Sequence, residues 1–139
     1  MNIDSFSDAE LREFYKMKNI AVVGMSKTDG KPANYVPNYL MEQGYNVIPV
    51  NPTAPEIMGR QSYPAVSSVQ EPVDIVDVFR PSDDVLPAVQ DAIKKPGIKL
   101  IWMQLGIYNE QAEKLAKQKG IKVVYNRCML EEHHRLFDS

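Results

Sequence analysis

Five short apolar stretches alternate along this chain with segments of helical pattern, and this alternation restricts the fold more than any other feature. Each stretch is too short for a buried helix, and turn-forming Gly, Pro or Asn residues follow it closely. The stretches lie at residues 20–23, 46–50, 73–79, 99–103 and 121–125. Apolar strands separated by helices form parallel sheets through right-handed crossovers. We therefore predict an α/β fold, a single Rossmann-like domain with a five-stranded parallel sheet and helices on both faces.

The first two helical segments carry start signals. Ser7 and Glu10 have the spacing of a capping box, which predicts a lead-in helix over about residues 7–17. A proline costs no hydrogen bond only in the first turn of a helix. Pro37 therefore predicts that the second helix begins near residue 34 or 35.

The remaining chain is expected to complete one domain. Ser82 has the character of an N-cap for the third helix, and the fourth helix is expected to start at about Asn109. The charged residues 131–135 are most simply a solvated helical end. We therefore assign residues 1–139 to a single domain whose Rossmann-like core spans about residues 18–130.

Composition limits the class of protein. The chain has 139 residues, a formal net charge of −2 and one cysteine. A slightly acidic chain does not favour nucleic acid as a main partner. A single cysteine excludes an intrachain disulfide framework, and no apolar run approaches the length of a membrane span. These observations lead us to expect a cytoplasmic protein that has no membrane contact.

The loop after the first strand has the layout of a phosphate cradle. Gly24 ends the strand, and small or polar residues lead to Lys31 and a proline that can open a helix. Backbone N–H groups and a helix N-terminus favour anions at such a loop. We therefore take Gly24, Met25, Ser26 and Lys31 as candidate ligand-binding residues. The same layout also occurs as a purely structural turn.

The best-known nucleotide signatures are absent from this loop. The first turn does not contain Gly-x-Gly-x-x-Gly, and the second strand ends in Asn51 where dinucleotide folds usually place an acidic residue. A Walker loop also fails, because Pro32 follows Lys31 where a magnesium-binding hydroxyl is needed. The loop therefore predicts a phosphorylated ligand without the standard NAD or ATP apparatus.

Polar or turn-forming residues follow the other strands, at the sheet edge where α/β proteins bind ligands. Many of them are explained by turn formation alone. Arg80 and Arg127 are explained less well, because two guanidinium groups at one edge need an anion or a carboxylate partner. The complete set of candidate binding residues is Gly24, Met25, Ser26, Lys31, Asn51, Pro52, Phe79, Arg80, Gln104, Gly106 and Ile107.

Five sequence runs together resemble the stand-alone CoA-binding domain proteins of prokaryotes, which are similar in fold to the CoA-binding domain of the succinyl-CoA synthetase alpha subunit. These runs are residues 20–26, 44–52, 73–81, 102–107 and 126–129. The resemblance implies that the loop containing Gly24, Ser26 and Lys31 takes the CoA phosphates. It also implies that residues 51–52 and 79–80 line the adenosine and pyrophosphate, while residues 104–107 face the pantetheine arm.

The chain departs from the family pattern at two positions. The family often has an arginine at the position of Lys31, and a proline at the position of Met129. The first difference replaces a planar fork of donors with a point charge. The resemblance stops at the CoA-binding domain, so it does not imply ligase activity.

From these residues and the resemblance, we expect a protein that binds coenzyme A or an acyl-CoA without catalytic groups of its own. Two alternatives remain open, a nucleotide-dependent oxidoreductase and a protein-interaction or regulatory module with a vestigial ligand site. Cys128 is a candidate redox thiol, because Arg127 beside it favours the thiolate. Its alternative role is that of a small core residue. Cys128, His133 and His134 lack the spacing of a structural zinc site, so we expect no metal.

Overall fold

A computed structural model describes residues 1–138. The strands are β1 (Asn19–Val23), β2 (Asn46–Val50), β3 (Glu56–Ile57), β4 (Arg60–Gln61), β5 (Ile75–Val78), β6 (Leu100–Met103) and β7 (Lys122–Val124). Five of them form a parallel sheet in the order β2-β1-β5-β6-β7. The prediction of a Rossmann-like domain with a five-stranded parallel sheet is therefore confirmed. The antiparallel pair β3 and β4 was not predicted.

Helices cover both faces of this sheet, as predicted. They are α1 (Asp8–Phe14), α2 (Pro32–Glu42), α3 (Val85–Ala92), α4 (Glu110–Gln118) and α5 (Met129–Phe137). The buried residues of α1, α2 and α5 pack in one apolar cluster, and those of α3 and α4 pack in a second. Alternate residues of each strand enter the two clusters because successive strand side chains point to opposite faces. Burying one such aliphatic side chain contributes about 1.5–3 kcal/mol.

The lead-in helix forms through the capping box that the sequence predicted. The hydroxyl of Ser7 accepts from the Glu10 N–H at 3.1 Å, and the Glu10 carboxylate accepts from the Ser7 N–H at 3.0 Å. The helix ends at Phe14, earlier than predicted. Leu11 and Phe14 are buried against the sheet.

The start predicted for the second helix was wrong. Helix α2 begins at Pro32, and Pro37 lies inside it. Because Pro37 has no N–H, the carbonyl of Ala33 receives no helical hydrogen bond from it. The N–H of Ser26 donates to that carbonyl at 3.0 Å. The proline is therefore accommodated, and its missing donor leaves an acceptor that anchors the loop after β1.

The N-cap assigned to Ser82 was also wrong. Ser82 lies in a short 3-10 turn, Ser82–Asp84, and Asp84 precedes α3 without a side-chain capping bond. The Ser82 hydroxyl instead accepts from the N–H of Tyr108 at 3.1 Å, and its carbonyl accepts from the Asn109 carboxamide at 3.0 Å. Helix α4 begins beside Asn109, as predicted, and the Asn109 side chain caps it by accepting from the Ala112 N–H.

The C-terminal residues do not form a merely solvated helical end, as the sequence had suggested. Helix α5 packs on the sheet and buries Met129, His133 and Leu136. The Tyr39 hydroxyl and His133 Nδ1 lie 2.7 Å apart, and burial lowers the pKa of His133. Within the described residues, no helix is long and apolar enough to span a bilayer.

One buried group in the sheet lacks a partner. Asp77 in β5 is fully buried, and neither carboxylate oxygen has a hydrogen-bond partner among the described residues. Its neighbours in register are Val22 and Trp102. Burial raises the pKa of Asp77 well above its usual value. The surroundings of Asp77 therefore favour its neutral, protonated form over the carboxylate.

Candidate functional site

The strand order reverses between β1 and β5, where open α/β sheets form a ligand crevice. The chain leaves β1 for β2 on one side and later enters β5 on the other. Gly24 follows β1 with a φ of +84°, and a Cβ atom there would overlap the carbonyl oxygen of Phe79, which follows β5. A glycine is therefore required for the two strand ends to meet.

The cradle loop, residues 24–31, is held by its own backbone and by neighbouring carboxamides. The hydroxyl of Ser26 accepts from the Thr28 N–H at 3.0 Å. Asn34 Nδ2 donates to the Ser26 carbonyl, and Asn51 Nδ2 donates to the Met25 carbonyl, each at 2.9 Å. The loop therefore has a shape set before any ligand binds.

Several cradle groups remain available to an anion. The N–H groups of Lys27 and Ala33, which are not buried, donate to no acceptor within residues 1–138. Lys31 precedes α2, is exposed, and forms no ion pair with any described residue. Free N–H groups at the start of an 11-residue helix favour bound negative charge.

Three adjoining cavities lie along this sheet edge. The groove, a cavity of about 450 Å³, runs from Lys31 and Arg80 towards the loop after β6. A second cavity of about 490 Å³ lies over the cradle loop, and a third of about 360 Å³ lies beside Pro52. Lys31 borders the first two cavities, and Arg80 borders the first and third.

Every candidate residue borders one of these cavities. The cradle cavity is lined by Gly24, Met25, Ser26, Lys31 and Asn51. The groove is lined by Lys31, Phe79, Arg80, Gln104, Gly106, Ile107 and Cys128. Pro52 lies with Arg80 in the third cavity. The predicted residues are therefore brought together, although they come from five separate parts of the chain.

Some of these side chains are committed to the fold. Met25 is fully buried, so it supports the wall of the cradle cavity and exposes no surface to a ligand. Asn51 Oδ1 accepts from the N–H and hydroxyl of Thr53. Gln104 is buried, and its Oε1 accepts from the Met129 N–H at 3.1 Å. Their side chains support the walls of the cavities.

The two strand-end arginines differ. Arg80 is half-buried and forms no hydrogen bond or ion pair with the described residues. Arg127 has only 8% of its side chain exposed and pairs with Asp4 at 2.8 Å and Glu132 at 2.6 Å. Both arginines were expected to need an anion or a carboxylate partner, and the structure gives a different answer for each. Arg127 has protein carboxylates, while Arg80 remains free for a ligand anion.

The structure corrects the electrostatic argument for Cys128. This thiol is buried at the N-terminal end of α5, and burial raises its pKa despite opposing hydrogen bonds from the Glu131 and Leu130 backbones. Arg127 is neutralised by Asp4 and Glu132, so it does not activate the thiol. Cys128 nevertheless borders the groove.

Two features of the site had little or no signal in the sequence. Tyr35, which is not among the candidate binding residues, is exposed and lines the groove. Asp4, which pairs with Arg127 across 123 positions of sequence, had no local signal.

Comparisons with known proteins place the chain in a family. Residues 18–134 match a protein-family model described as a CoA binding domain. The Bacillus subtilis protein YneT is 35% identical over 91% of this chain and 94% of its own length. Acetate–CoA ligase [ADP-forming] II of Archaeoglobus fulgidus is 29% identical over 82% of this chain, which corresponds to only 19% of the ligase.

Solved structures give the same result. A hypothetical protein from Pyrococcus horikoshii superposes with a TM-score of 0.93 at 42% identity, covering 98% of this chain and 96% of its own. Acetyl-coenzyme A synthetase 1 of Ca. Korarchaeum cryptofilum matches 78% of this chain with 26% of its own, at a TM-score of 0.69 and 35% identity. The resemblance inferred from the sequence is therefore confirmed, and the chain belongs to the CoA-binding domain family.

Proposed function

We propose that this protein binds coenzyme A or an acyl-CoA along the reversal point of the sheet and has no catalytic groups of its own. The observation that carries this proposal is the pair of free cations, Lys31 and Arg80, that flank the groove. A half-buried guanidinium without a carboxylate partner favours a ligand anion. Membership of the CoA-binding domain family supports CoA as the anion-bearing ligand.

The cavities fit the parts of this ligand. The cradle loop, with its free N–H groups and Lys31, takes phosphate. Pro52, Phe79 and Arg80 face the adenosine and pyrophosphate side. The pantetheine arm, which is long and only weakly polar, follows the groove towards Ile107. We thus assign the phosphates to the charged end and the arm to the apolar end.

An oxidoreductase that uses NAD is the less favoured alternative. Dinucleotide folds hold the ribose hydroxyls with an acidic side chain near the end of the second strand. Asn51 occupies that place, and its carboxamide is occupied by Met25 and Thr53. The ribose site of a dinucleotide is therefore not formed here.

Isothermal titration with CoA, acetyl-CoA, NAD and ATP tests the proposal. We expect heat with CoA or acetyl-CoA and none with NAD. Lys31→Ala should weaken CoA binding, while Lys119→Ala should not, because Lys119 is an exposed lysine at the end of α4 and the opposite sheet edge. Absence of heat with either CoA species at micromolar sensitivity would contradict the proposal.

The interaction-module alternative needs a different experiment. Gly24→Val is unsuitable as a binding-site variant, because its side chain would collide with Phe79 and disturb the fold. The double variant Lys31→Ala, Arg80→Ala leaves the packed core untouched. If protein partners are captured equally by the wild type and this variant, with or without CoA, the groove is dispensable for that role.

A further inference from the structure

We infer that the first seven residues position the far wall of the groove, so that Asp4 acts on ligand binding from a distance. We call residues 1–7 the N-terminal strap. The far wall consists of the turn at residues 105–106 and Cys128, both of which line the groove. This inference deepens the proposed function, and only its effect on CoA affinity rests on that function.

The first link is a buried ion pair. Asp4 accepts from Arg127 Nη2 at 2.8 Å and Nε at 3.1 Å, and it also accepts from the Tyr125 N–H at 3.1 Å. The Asp4 side chain is 5% exposed. The hydrogen bonds with Asp4 raise the pKa of Arg127. Removing Asp4 leaves the buried Arg127 guanidinium with Glu132 as its remaining ion-pair partner among the described residues, and breaking a buried pair is strongly destabilising.

The second link joins Arg127 to the groove. The Arg127 carbonyl accepts from Trp102 Nε1 at 2.7 Å, and the next residue is Cys128. Gln104 then holds the Met129 N–H, the first N–H of α5. The backbone between β7 and α5 is therefore held on one side by the sheet and on the other by Asp4.

The third link reaches the other part of the far wall. Asn126 has a φ of +55°, and its Nδ2 donates to the Asn2 carbonyl at 3.2 Å. Its Oδ1 accepts from the Gly106 N–H at 2.7 Å. One carboxamide thus connects the strap directly to the turn after β6. The strap supports both parts of the far wall through adjacent residues, Asn126 and Arg127.

The strap lies outside the region that matches the family model, which covers residues 18–134. The matched region therefore does not include Asp4, one of the two acidic partners of Arg127, whereas it does include Glu132. An ion-pair series continues from Arg127 through Glu132 and Arg135 to Asp8. At this far end the Asp8 side chain is 52% exposed and does not line the groove. Asp8 is thus a matched control for Asp4.

The test compares Asp4→Ala with Asp8→Ala in the full-length protein, using Cys128 as the reporter. Cys128 is the only cysteine, so its labelling by the chromogenic disulfide dithionitrobenzoate reports opening of this wall. We expect Asp4→Ala to label about tenfold faster than wild type, whereas Asp8→Ala should stay within about twofold, because exposed pairs contribute little. CoA affinity should fall in Asp4→Ala and not in Asp8→Ala.

Global unfolding must be distinguished from local opening. Labelling through a local opening is nearly independent of low urea concentrations, while labelling through global unfolding rises steeply with urea. Asp4→Asn, which keeps the side-chain shape, provides a milder variant if Asp4→Ala does not fold. Equal rates of Cys128 labelling in both Asp4 variants and the wild type would overturn the inference. A faster labelling rate that rises steeply with urea concentration would overturn it as well. If wild type fails to bind CoA, the proposed function fails, but the labelling result still decides the role of the strap.

Discussion

The ends of β5 and β7 each carry an arginine on the same edge of one sheet, yet the two arginines have different surroundings. Arg127 is buried between Asp4 and Glu132. Arg80 borders two cavities and has no carboxylate partner among residues 1–138. The β7 end is therefore part of the folded framework, and the β5 end is available for a ligand. The difference teaches that position at a strand end does not by itself assign a charged residue to binding.

The largest expected effect is the loss of stability in Arg127→Ala. This substitution leaves the buried Asp4 carboxylate without its cation and removes one of the two cations that pair with Glu132. Breaking such a buried pair costs about 3–5 kcal/mol of unfolding free energy. Urea denaturation measures the change, and Arg135→Ala is the control because its ion pairs are more exposed. Equal losses of unfolding free energy in the two variants would contradict the difference drawn here between the ends of β5 and β7.

Arg80→Ala should have the opposite profile. We expect CoA binding to weaken by about 1–3 kcal/mol, the scale for losing a charge-assisted hydrogen bond, with the unfolding free energy nearly unchanged. The difference in affinity should shrink as salt is added, because partly exposed charges are screened. Calorimetric titration checks this, and Arg12→Ala, an unpaired and exposed arginine of α1, is the control. Unchanged affinity would assign Arg80 to the framework as well.

Asp77 extends the comparison to a buried carboxyl group that has no hydrogen-bond partner among the described residues. Its folded-state pKa lies above the unfolded value of about 3.9. The folded state therefore keeps a proton that the unfolded state releases, so stability is highest below that value. It falls by up to about 1.4 kcal/mol per pH unit as pH rises towards the folded-state pKa.

Asp77→Asn should remove this pH dependence. The measurement is the urea midpoint of wild type and variant from about pH 5 to about pH 9, a range above the ordinary aspartate pKa. We expect the wild type to lose stability relative to the variant along this range. Parallel profiles would show that Asp77 is ionised and has a partner in solution.

The smallest effect concerns Cys128. Because burial raises its pKa and Arg127 is already paired, little thiolate is present at neutral pH. We expect CoA disulfide to form an adduct slowly at pH 7 and faster as pH rises, with intact mass as the readout and Cys128→Ser as the control. Rapid adduct formation at pH 7 would restore Cys128 as a redox thiol.

Local patterns explain why much of the fold could be predicted. The strand positions follow from short apolar runs, and the Ser7 and Asn109 caps follow from spacings within one turn. Helix α2 was misplaced because the lost hydrogen bond of Pro37 is compensated by Ser26, which lies outside the helix. Its true start could not be inferred from the rules for an isolated helix.

The candidate site likewise has a part that the sequence could predict and a part that it could not. The cradle loop and the strand-end residues were predicted because the carboxyl ends of parallel strands must share one edge. The sequence could not tell which side chains were already engaged. Gln104 holds α5, Met25 is fully buried, and Asn51 holds the cradle loop. Each of these contacts depends on a residue from another part of the fold.

By itself, the sequence determined the alternation of strands and helices, the glycine loop after β1 and the family to which the chain belongs. These properties depend on residue order and on neighbours within a few positions. The tertiary structure was needed to show that the charge of Arg127 is balanced by carboxylates, whereas Arg80 has no such partner among the described residues. The reason is that Asp4 pairs with Arg127 although 123 positions of sequence separate them. Whether an arginine stabilises the folded framework or remains available to a ligand depends on the carboxylates that the fold places beside it.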